Sequence, residues 1–161
     1  MLSNDKPAIV GRVITHERDP ITHEILRTLI DENILTYYSR NAICKWLADD
    51  TPPSAGAWNY LAIGYGETAA AAGQTALVSE LTRHTATLSV ETDSVTSEDI
   101  VFQSTYTFPA VESANYNTVW EIALVDADTD GNLFNRVKLD VARDNYNNDL
   151  EVIYQATFNS S

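Results

Sequence analysis

The sequence has a single cysteine, Cys44, which excludes a disulfide within the chain. Cys44 lies in an apolar helical pattern, so we expect a buried thiol that acts as a small hydrophobic side chain. No apolar run approaches the roughly 18 residues that a membrane-spanning helix needs. Residues 1–6 also lack the basic start and apolar centre of a signal peptide. We therefore expect a protein that is made in the cytoplasm and does not insert into a membrane.

Positive charge is scarce: 10 basic side chains stand against 23 acidic ones, and the formal net charge is −13. Such a surface repels phosphate backbones, which argues against nucleic-acid binding. Only three of the basic residues are lysine. Abundant acid with little lysine suits a halophilic host, where the surface must stay hydrated in concentrated salt. An ordinary acidic domain that like-charge repulsion keeps soluble fits equally well.

Catalytic motifs are missing as well. The sequence has no G-x-S-x-G elbow, and its three histidines lack an evident nucleophile and orienting acid. Acid pairs such as Asp49-Asp50 and Glu98-Asp99 are expected by chance in so acidic a chain. The bend at residues 64–66 lacks the Lys-Ser/Thr of a phosphate-binding loop, although a helix N-terminus near Thr75 would suit an anion. We predict no enzyme, no catalytic residue and no cofactor.

What the sequence does contain is a mostly β pattern in 161 residues, the size of one domain (1–161). Residues 8–28 predict an N-terminal hairpin that turns near Pro20, because proline cannot continue a ladder. Residues 34–48 repeat apolar side chains at helical spacing and predict one α-helix, capped by Asn33 or Thr36.

From residue 58 to 158 a period of two predicts the main sheet strands. After a first strand at 58–63, the candidates are 84–91, 100–108, 118–125, 132–140 and 150–158. Residues 126–131 and 144–149 are rich in Asp and Asn and predict turns, with Gly131 free to take a positive φ. Seven or eight antiparallel strands with one helix predict an antiparallel β-sandwich.

Two clusters have the composition of a metal site. Asp126, Asp128 and Asp130 match the first half of a calcium loop, but its twelfth position, which should be a bidentate acid, is Val137. The other cluster consists of His16 and His23 with the glutamates beside them. Charged residues border many turns of an acidic protein, so we interpret both as polar turns and predict no metal. Calcium at the aspartates stays an alternative.

Five short segments follow one another along the chain. They are NILT at 33–36, RNAICKWL at 40–47, LAIGYGETA at 61–69, GQTALVSELTR at 73–83 and EIALVDADTDGNLFNR at 121–136. In this order they resemble the small β-rich virion structural proteins of tailed phages and tailed (halo)archaeal viruses. The resemblance covers about residues 10–158. The chain departs from it at Ala123, where many relatives have glycine, and at Tyr65, which replaces a small residue.

The resemblance implies a non-enzymatic structural component of a tailed-virus particle, located in the virion. It implies a homo-oligomer that contacts other capsid or tail proteins, as a head turret or decoration protein or as a tail fibre or baseplate protein. The alternative is a host-surface recognition module that binds a glycan or a protein, with or without calcium. Free strand edges suit pairing between copies. Large, partly polar side chains suit interfaces, and those of Trp58, Tyr65, Tyr116 and Tyr146 fit this description.

Overall fold

The structure, a computed structural model, describes residues 9–47, 58–92, 100–110 and 118–158. Ten strands and one helix lie in these ranges. In chain order they are β1 (Ile9–Arg18), β2 (Ile25–Glu32), β3 (Ile34–Leu35), α1 (Tyr37–Leu47), β4 (Tyr60–Gly64), β5 (Glu80–Thr85), β6 (Thr87–Thr92), β7 (Ile100–Phe108), β8 (Val119–Val125), β9 (Leu133–Arg143) and β10 (Asp149–Phe158).

The strands form two five-stranded sheets. The first sheet has the order β2-β1-β10-β7-β6, and the second has the order β3-β9-β8-β4-β5. Each pair of neighbouring strands is antiparallel. The predicted fold class, a mainly β antiparallel sandwich with one helix, is therefore confirmed. That residues 1–161 form a single domain stays a prediction.

The core lies between the two sheets. Strand β1 buries Val13 and Thr15 and exposes Arg12, the alternation of a strand with one face covered. Side chains from β1, β7 and β10 meet side chains from β4, β8 and β9 in one buried cluster. Its members include Val13, Phe108, Leu150, Tyr154, Leu61, Ile122, Leu124 and Phe134.

The N-terminal hairpin consists of β1 and β2, with Arg12 opposite Glu32 and Glu17 opposite Arg27. Its second strand reaches Glu32, four residues beyond the end of the segment at 8–28 that the sequence indicated. The turn follows Asp19, whose Oδ1 accepts hydrogen bonds from the backbone N–H groups of Ile21 and Thr22, at 2.8 Å each. The chain therefore reverses beside Pro20.

A buried ion pair fastens this hairpin to the second sheet. The Nη2 of Arg143, on β9, donates to Oδ2 of Asp31 on β2, and its Nε donates to Oγ1 of Thr15 at 2.6 Å. Burial lowers the pKa of Arg143, and the charge of Asp31 opposes that shift. The pair joins strands of both sheets, so the hairpin is held as part of the sandwich.

The helix is shorter than the predicted 34–48. Residues 34–35 form the short strand β3 instead, and α1 begins at Tyr37. Thr36 is its cap, because its Oγ1 accepts a hydrogen bond from the N–H of Ser39 at 3.2 Å. The same hydroxyl donates to the carbonyl of Leu133 at 2.6 Å. The cap thus also binds the helix start to the second sheet.

Cys44 corrects a sequence prediction. Ile43 of α1 is buried, but the neighbouring Cys44 is exposed. Successive residues of a helix point about 100° apart, so Cys44 can face solvent although Ile43 beside it faces the core. The expected buried thiol is therefore wrong.

The segment between β4 and β6 differs most from the sequence prediction. The strand expected at 84–91 is two strands that separate at Ala86 and join different sheets. Strand β5 starts at Glu80, four residues before the start of the expected strand. Residues 65–79 form a loop, so the helix N-terminus expected near Thr75 does not exist. This split and the short strand β3 explain why ten strands are described where seven or eight were expected.

Candidate functional site

The aspartate-rich turn at residues 126–131 closes the hairpin of β8 and β9, as predicted. Gly131 has a φ of 74°, which confirms its left-handed conformation. Both carboxylate oxygens of Asp126 accept hydrogen bonds from Asn132: Oδ1 from the backbone N–H at 2.6 Å and Oδ2 from the side-chain amide at 2.9 Å. The Nη1 of Arg83 donates to the carbonyls of Ala127 and Asp130. Protein donors therefore hold this turn closed.

The structure does not bring the candidate metal ligands together. Asp128 and Asp130 are exposed, while Asp126 is engaged by Asn132. Across the described ranges, no three His, Cys, Asp or Glu side chains are grouped closely enough to hold a metal ion. That the chain binds no metal nevertheless stays a prediction.

The two histidines of the N-terminal hairpin have separate partners. The Nδ1 of His16 lies 2.8 Å from Oγ1 of Thr28, in a contact between neighbouring strands. The Nδ1 of His23 lies 3.7 Å from Oδ2 of Asp149. The acid pairs at 49–50 and 98–99 lie outside the described residues.

A buried ion pair that the sequence did not single out makes six hydrogen bonds. Glu121 of β8 and Arg136 of β9 are 0% and 1% exposed, and Arg136 Nε donates to Glu121 Oε2 at 2.7 Å. The carboxylate also accepts three backbone N–H bonds, from Gly66 at 3.0 Å, Val78 at 3.0 Å and Ser79 at 2.7 Å. A buried carboxylate needs such donors, because an unpaired charge is costly to bury.

The rest of the guanidinium binds the same loop. Arg136 Nη1 donates to the side-chain oxygen of Gln74 at 3.0 Å, and Nη2 donates to the carbonyl of Thr68 at 2.8 Å. All three nitrogens of Arg136 are therefore bonded. Together, Glu121 and Arg136 hold the loop of residues 65–79 at five points, and we call this loop the clamped loop.

The glycines of the Gly-Tyr-Gly bend make this approach possible. A Cβ on Gly66 would lie 2.5 Å from Glu121 Oε1, and a Cβ on Gly64 would lie 2.5 Å from the carbonyl of Ser79. Both distances are far below van der Waals contact. Glycine is therefore required for the chain to pass over the carboxylate.

The clamped loop is also anchored by one apolar side chain. Leu77 is buried in a small cluster on the second sheet with Ala62, Ala123, Val125 and Leu133. Most of its exposed side chains are small or short, and they include Thr68, Ala69, Ala71, Thr75, Ala76 and Val78. The loop therefore offers a surface with few long, mobile side chains.

Helix α1 extends this surface. The backbone N–H of Tyr37 donates to the carbonyl of Ala72 at 2.7 Å, which joins the helix start to the clamped loop. The Tyr37 ring is exposed, and the guanidinium of Arg40 lies 4.9 Å from its centroid. Tyr38 is also exposed, and its hydroxyl donates to Asp126 at 3.2 Å. We call the exposed side chains of the clamped loop, with Tyr37 and Tyr38, the loop–helix face.

The aromatic residues expected at interfaces have different environments. Trp58 is half-buried and packs on the core with its ring centroid 4.6 Å from that of Phe134, and its place in an interface stays a prediction. Tyr65 is half-buried at the start of the clamped loop, and Tyr146 is exposed in the turn before β10. Tyr116 lies outside the described residues.

Sequence reasoning missed Glu121 and Arg136 as a pair, although both stand in the segment 121–136. Alternation along β8 and β9 places them on one face, but it does not reveal that a distant loop covers that face. The other residues of this network lie in two earlier segments: Gly66 belongs to 61–69, and Gln74 belongs to 73–83. Residues from three of the five segments meet in this one network.

Comparison with known proteins identifies a family whose model covers the three segments that meet in this network. A family model described as Podophage GP4 fiber I protein gp80 matches residues 34–159. The match spans more than half of the chain and includes the loop–helix face and both members of the buried pair. Searches of curated proteins and of solved structures returned no match.

In the described part of the chain, no helix is long and apolar enough to cross a membrane.

Proposed function

The chain belongs to the Podophage GP4 fiber I protein gp80 family and is a structural component of a phage virion; from that premise we propose that it is a non-enzymatic subunit of the tail fibre. The family description supports a fibre over a head turret or decoration protein. Halophilic and archaeal hosts stay predictions that rest on composition and resemblance alone.

We take the loop–helix face as the surface that binds neighbouring virion proteins. The observation that carries this proposal is the ion pair of Glu121 and Arg136, which fixes a long loop before any partner arrives. Association costs less when the contacting segment is already ordered. Small side chains add little rotamer entropy to that cost, because alanine and glycine have none to lose.

Tyr37 is the residue of this surface that we expect to contribute most to the contact. It is 66% exposed, more than the other exposed tyrosines of the described ranges, Tyr38 and Tyr146. Tyrosine is enriched in protein interfaces because it combines a large apolar ring with a polar tip. A partner that covers the ring and the neighbouring alanines would bury apolar area without ordering a new segment.

The experiment compares two variants in assembled virions. Ala71→Arg places a long charged side chain on the exposed clamped loop, and Val90→Arg places one on strand β6, where Val90 is 69% exposed. Each variant serves as the sole source of this chain during phage assembly, and mass spectrometry counts its copies per particle. We expect Ala71→Arg to lower incorporation at least about tenfold, the effect of losing about 1.4 kcal/mol of binding.

The control should incorporate as the unmodified chain does, and both purified variants should melt within about 2 °C of it, because both sites are exposed. Normal incorporation of Ala71→Arg would show that another surface makes the contact. Absence of the unmodified chain from purified virions would remove the proposal altogether.

Host-surface recognition stays a prediction from the resemblance. Its calcium-assisted form gains no support from the turn at 126–131, because both oxygens of Asp126 already accept hydrogen bonds from Asn132.

A further inference from the structure

Helix α1 differs in charge from the described strands. It contains Arg40 and Lys45 and no acidic residue, whereas each described strand that has a basic residue also has an acidic one. The clamped loop next to the helix adds a single charge, Glu67. The helix and this loop therefore have a formal net charge of +1, in a chain whose formal net charge is −13. The loop–helix face thus lies in a weakly basic part of a strongly acidic protein.

The two cations of α1 have no acidic partner in the described part of the chain. Both side chains are exposed, and no ion pair among the described residues includes Arg40 or Lys45. The carboxylate of Asp126, which contacts Tyr38 on the same helix, is held by Asn132 instead. Most other arginines of the chain do bind a carboxylate, namely Arg18, Arg27, Arg83, Arg136 and Arg143. The charges of α1 are therefore available to a carboxylate from another protein.

Both cations lie on the side of α1 that faces away from the core. Ser39 and Ile43 are buried, while the exposed residues of the helix stand three and four positions apart. Residues at this spacing share one side of a helix. The exposed side consists of Tyr37, Tyr38, Arg40, Asn41, Cys44 and Lys45. A partner that covers the Tyr37 ring therefore meets the two charges as well.

The guanidinium of Arg40 is held in place before a partner arrives. It lies over the Tyr37 ring, 4.9 Å from the ring centroid. The ring in turn lies beside the clamped loop, because a Cβ on Gly73 would be 3.7 Å from it. A guanidinium that stacks on an aromatic ring by its flat face keeps its edge N–H groups free for the two oxygens of a carboxylate. Arg40 can therefore bind a carboxylate at a low cost in side-chain entropy.

We propose that the partner at the loop–helix face is a different virion protein with an acidic surface, which places one carboxylate at Arg40 and another at Lys45. This inference rests on the proposed function and adds the chemistry of the partner. Two acidic proteins repel each other over most of their surfaces, so a basic patch selects the side on which they meet. Phosphates would also suit a guanidinium, but a nucleic acid is charged along its whole length and would meet the acid around the patch. A protein needs acid only where it faces α1.

Cross-linking in intact virions tests for the carboxylate at Lys45. A water-soluble carbodiimide couples a lysine amine to a carboxylate only where the two already lie in contact, and mass spectrometry identifies both residues. We expect Lys45 to be joined to an aspartate or glutamate of a different virion protein. Lys45→Arg is the matched control, because it keeps the charge but removes the amine: the cross-link should disappear while the number of copies per virion stays unchanged. Coupling of Lys45 only to another copy of this chain, or to no carboxylate, would overturn the inference.

The salt dependence of binding tests the charge of Arg40. Purified chain is added to particles assembled without it, and the bound copies are counted over a series of chain concentrations. Arg40→Glu should bind at least about tenfold more weakly than the unmodified chain in about 50 mM NaCl, and this difference should shrink below about threefold in about 1 M NaCl, because salt screens charges. Arg12→Glu makes the same change on β1, where Arg12 is exposed, and should bind as the unmodified chain does. Both variants should melt within about 4 °C of the unmodified chain.

Two results would overturn the inference and leave the proposed contact surface intact. One is unchanged binding of Arg40→Glu where Ala71→Arg binds weakly, which would show that no carboxylate of the partner meets Arg40. The other is a loss of binding by Arg40→Glu that is equally large at every salt concentration, which would show that Arg40 acts through its packing on Tyr37. If Ala71→Arg binds normally as well, or the unmodified chain does not bind, the proposed function itself fails.

Discussion

Replacing Glu121 by alanine is the most direct test of how the clamped loop is held. The substitution removes the acceptor of three backbone N–H groups and leaves the guanidinium of Arg136 buried without its carboxylate. Breaking one side of a buried ion pair costs about 3–5 kcal/mol. For a domain of this size, each kcal/mol lowers the melting temperature by about 2–4 °C. We therefore expect Glu121→Ala to lower it by about 6–20 °C.

Glu80→Ala is the matched control. Glu80 also bonds an arginine, Arg83 at 2.6 Å, but that pair lies near the surface. Exposed ion pairs contribute about 0–1 kcal/mol. The free energy of unfolding of the control, measured in urea, should therefore fall by at most that amount. Arg136→Met should cost less than Glu121→Ala, because the carboxylate keeps its three backbone donors.

Hydrogen exchange supplies a second readout at the atoms concerned. In the unmodified chain, the amides of Gly66, Val78 and Ser79 should exchange slowly although they lie in a loop, because Glu121 accepts their hydrogen bonds. In Glu121→Ala they should exchange at loop rates while amides of the core strands stay protected. A loss of stability no larger than that of Glu80→Ala, with slow exchange retained, would refute the clamp.

Two further predictions follow from local geometry. Gly66→Ala should destabilise the fold by about 1–3 kcal/mol in urea unfolding, the usual cost of overpacking, because its Cβ would lie 2.5 Å from Glu121 Oε1; Gly73→Ala, whose Cβ would meet the Tyr37 ring at 3.7 Å, should be nearly neutral. Burial raises the pKa of Asp144, but hydrogen bonds from Asn147 and nearby backbone N–H groups outweigh it and hold the pKa below its usual value. Stability from this group is thus present above its unfolded pKa and lost as the pH falls through its folded pKa. The stability difference between the unmodified chain and Asp144→Asn should shrink from neutral pH to about pH 2, and a constant difference would contradict this assignment.

The strands were the predictable part of the fold, because their hydrophobic alternation is local. The segments at 100–108 and 118–125 match β7 and β8 within one residue, and Gly131 takes the φ that its turn demands. Alternation does not say which sheet a strand joins. Ala86 is not a residue typical of turns, yet the chain changes sheets there. Strand β5 before it pairs with β4, and strand β6 after it pairs with β7.

The candidate site was harder to predict, because its defining interactions are distant in sequence. Glu121 contacts Gly66 and Ser79, which precede it by 55 and 42 residues. In sequence, a glutamate in a strand is usually solvent-exposed, and nothing near Glu121 signals that a loop will cover it. The glycine spacing and the later arginine were visible as separate motifs. Only the folded chain shows that all of them serve one buried carboxylate.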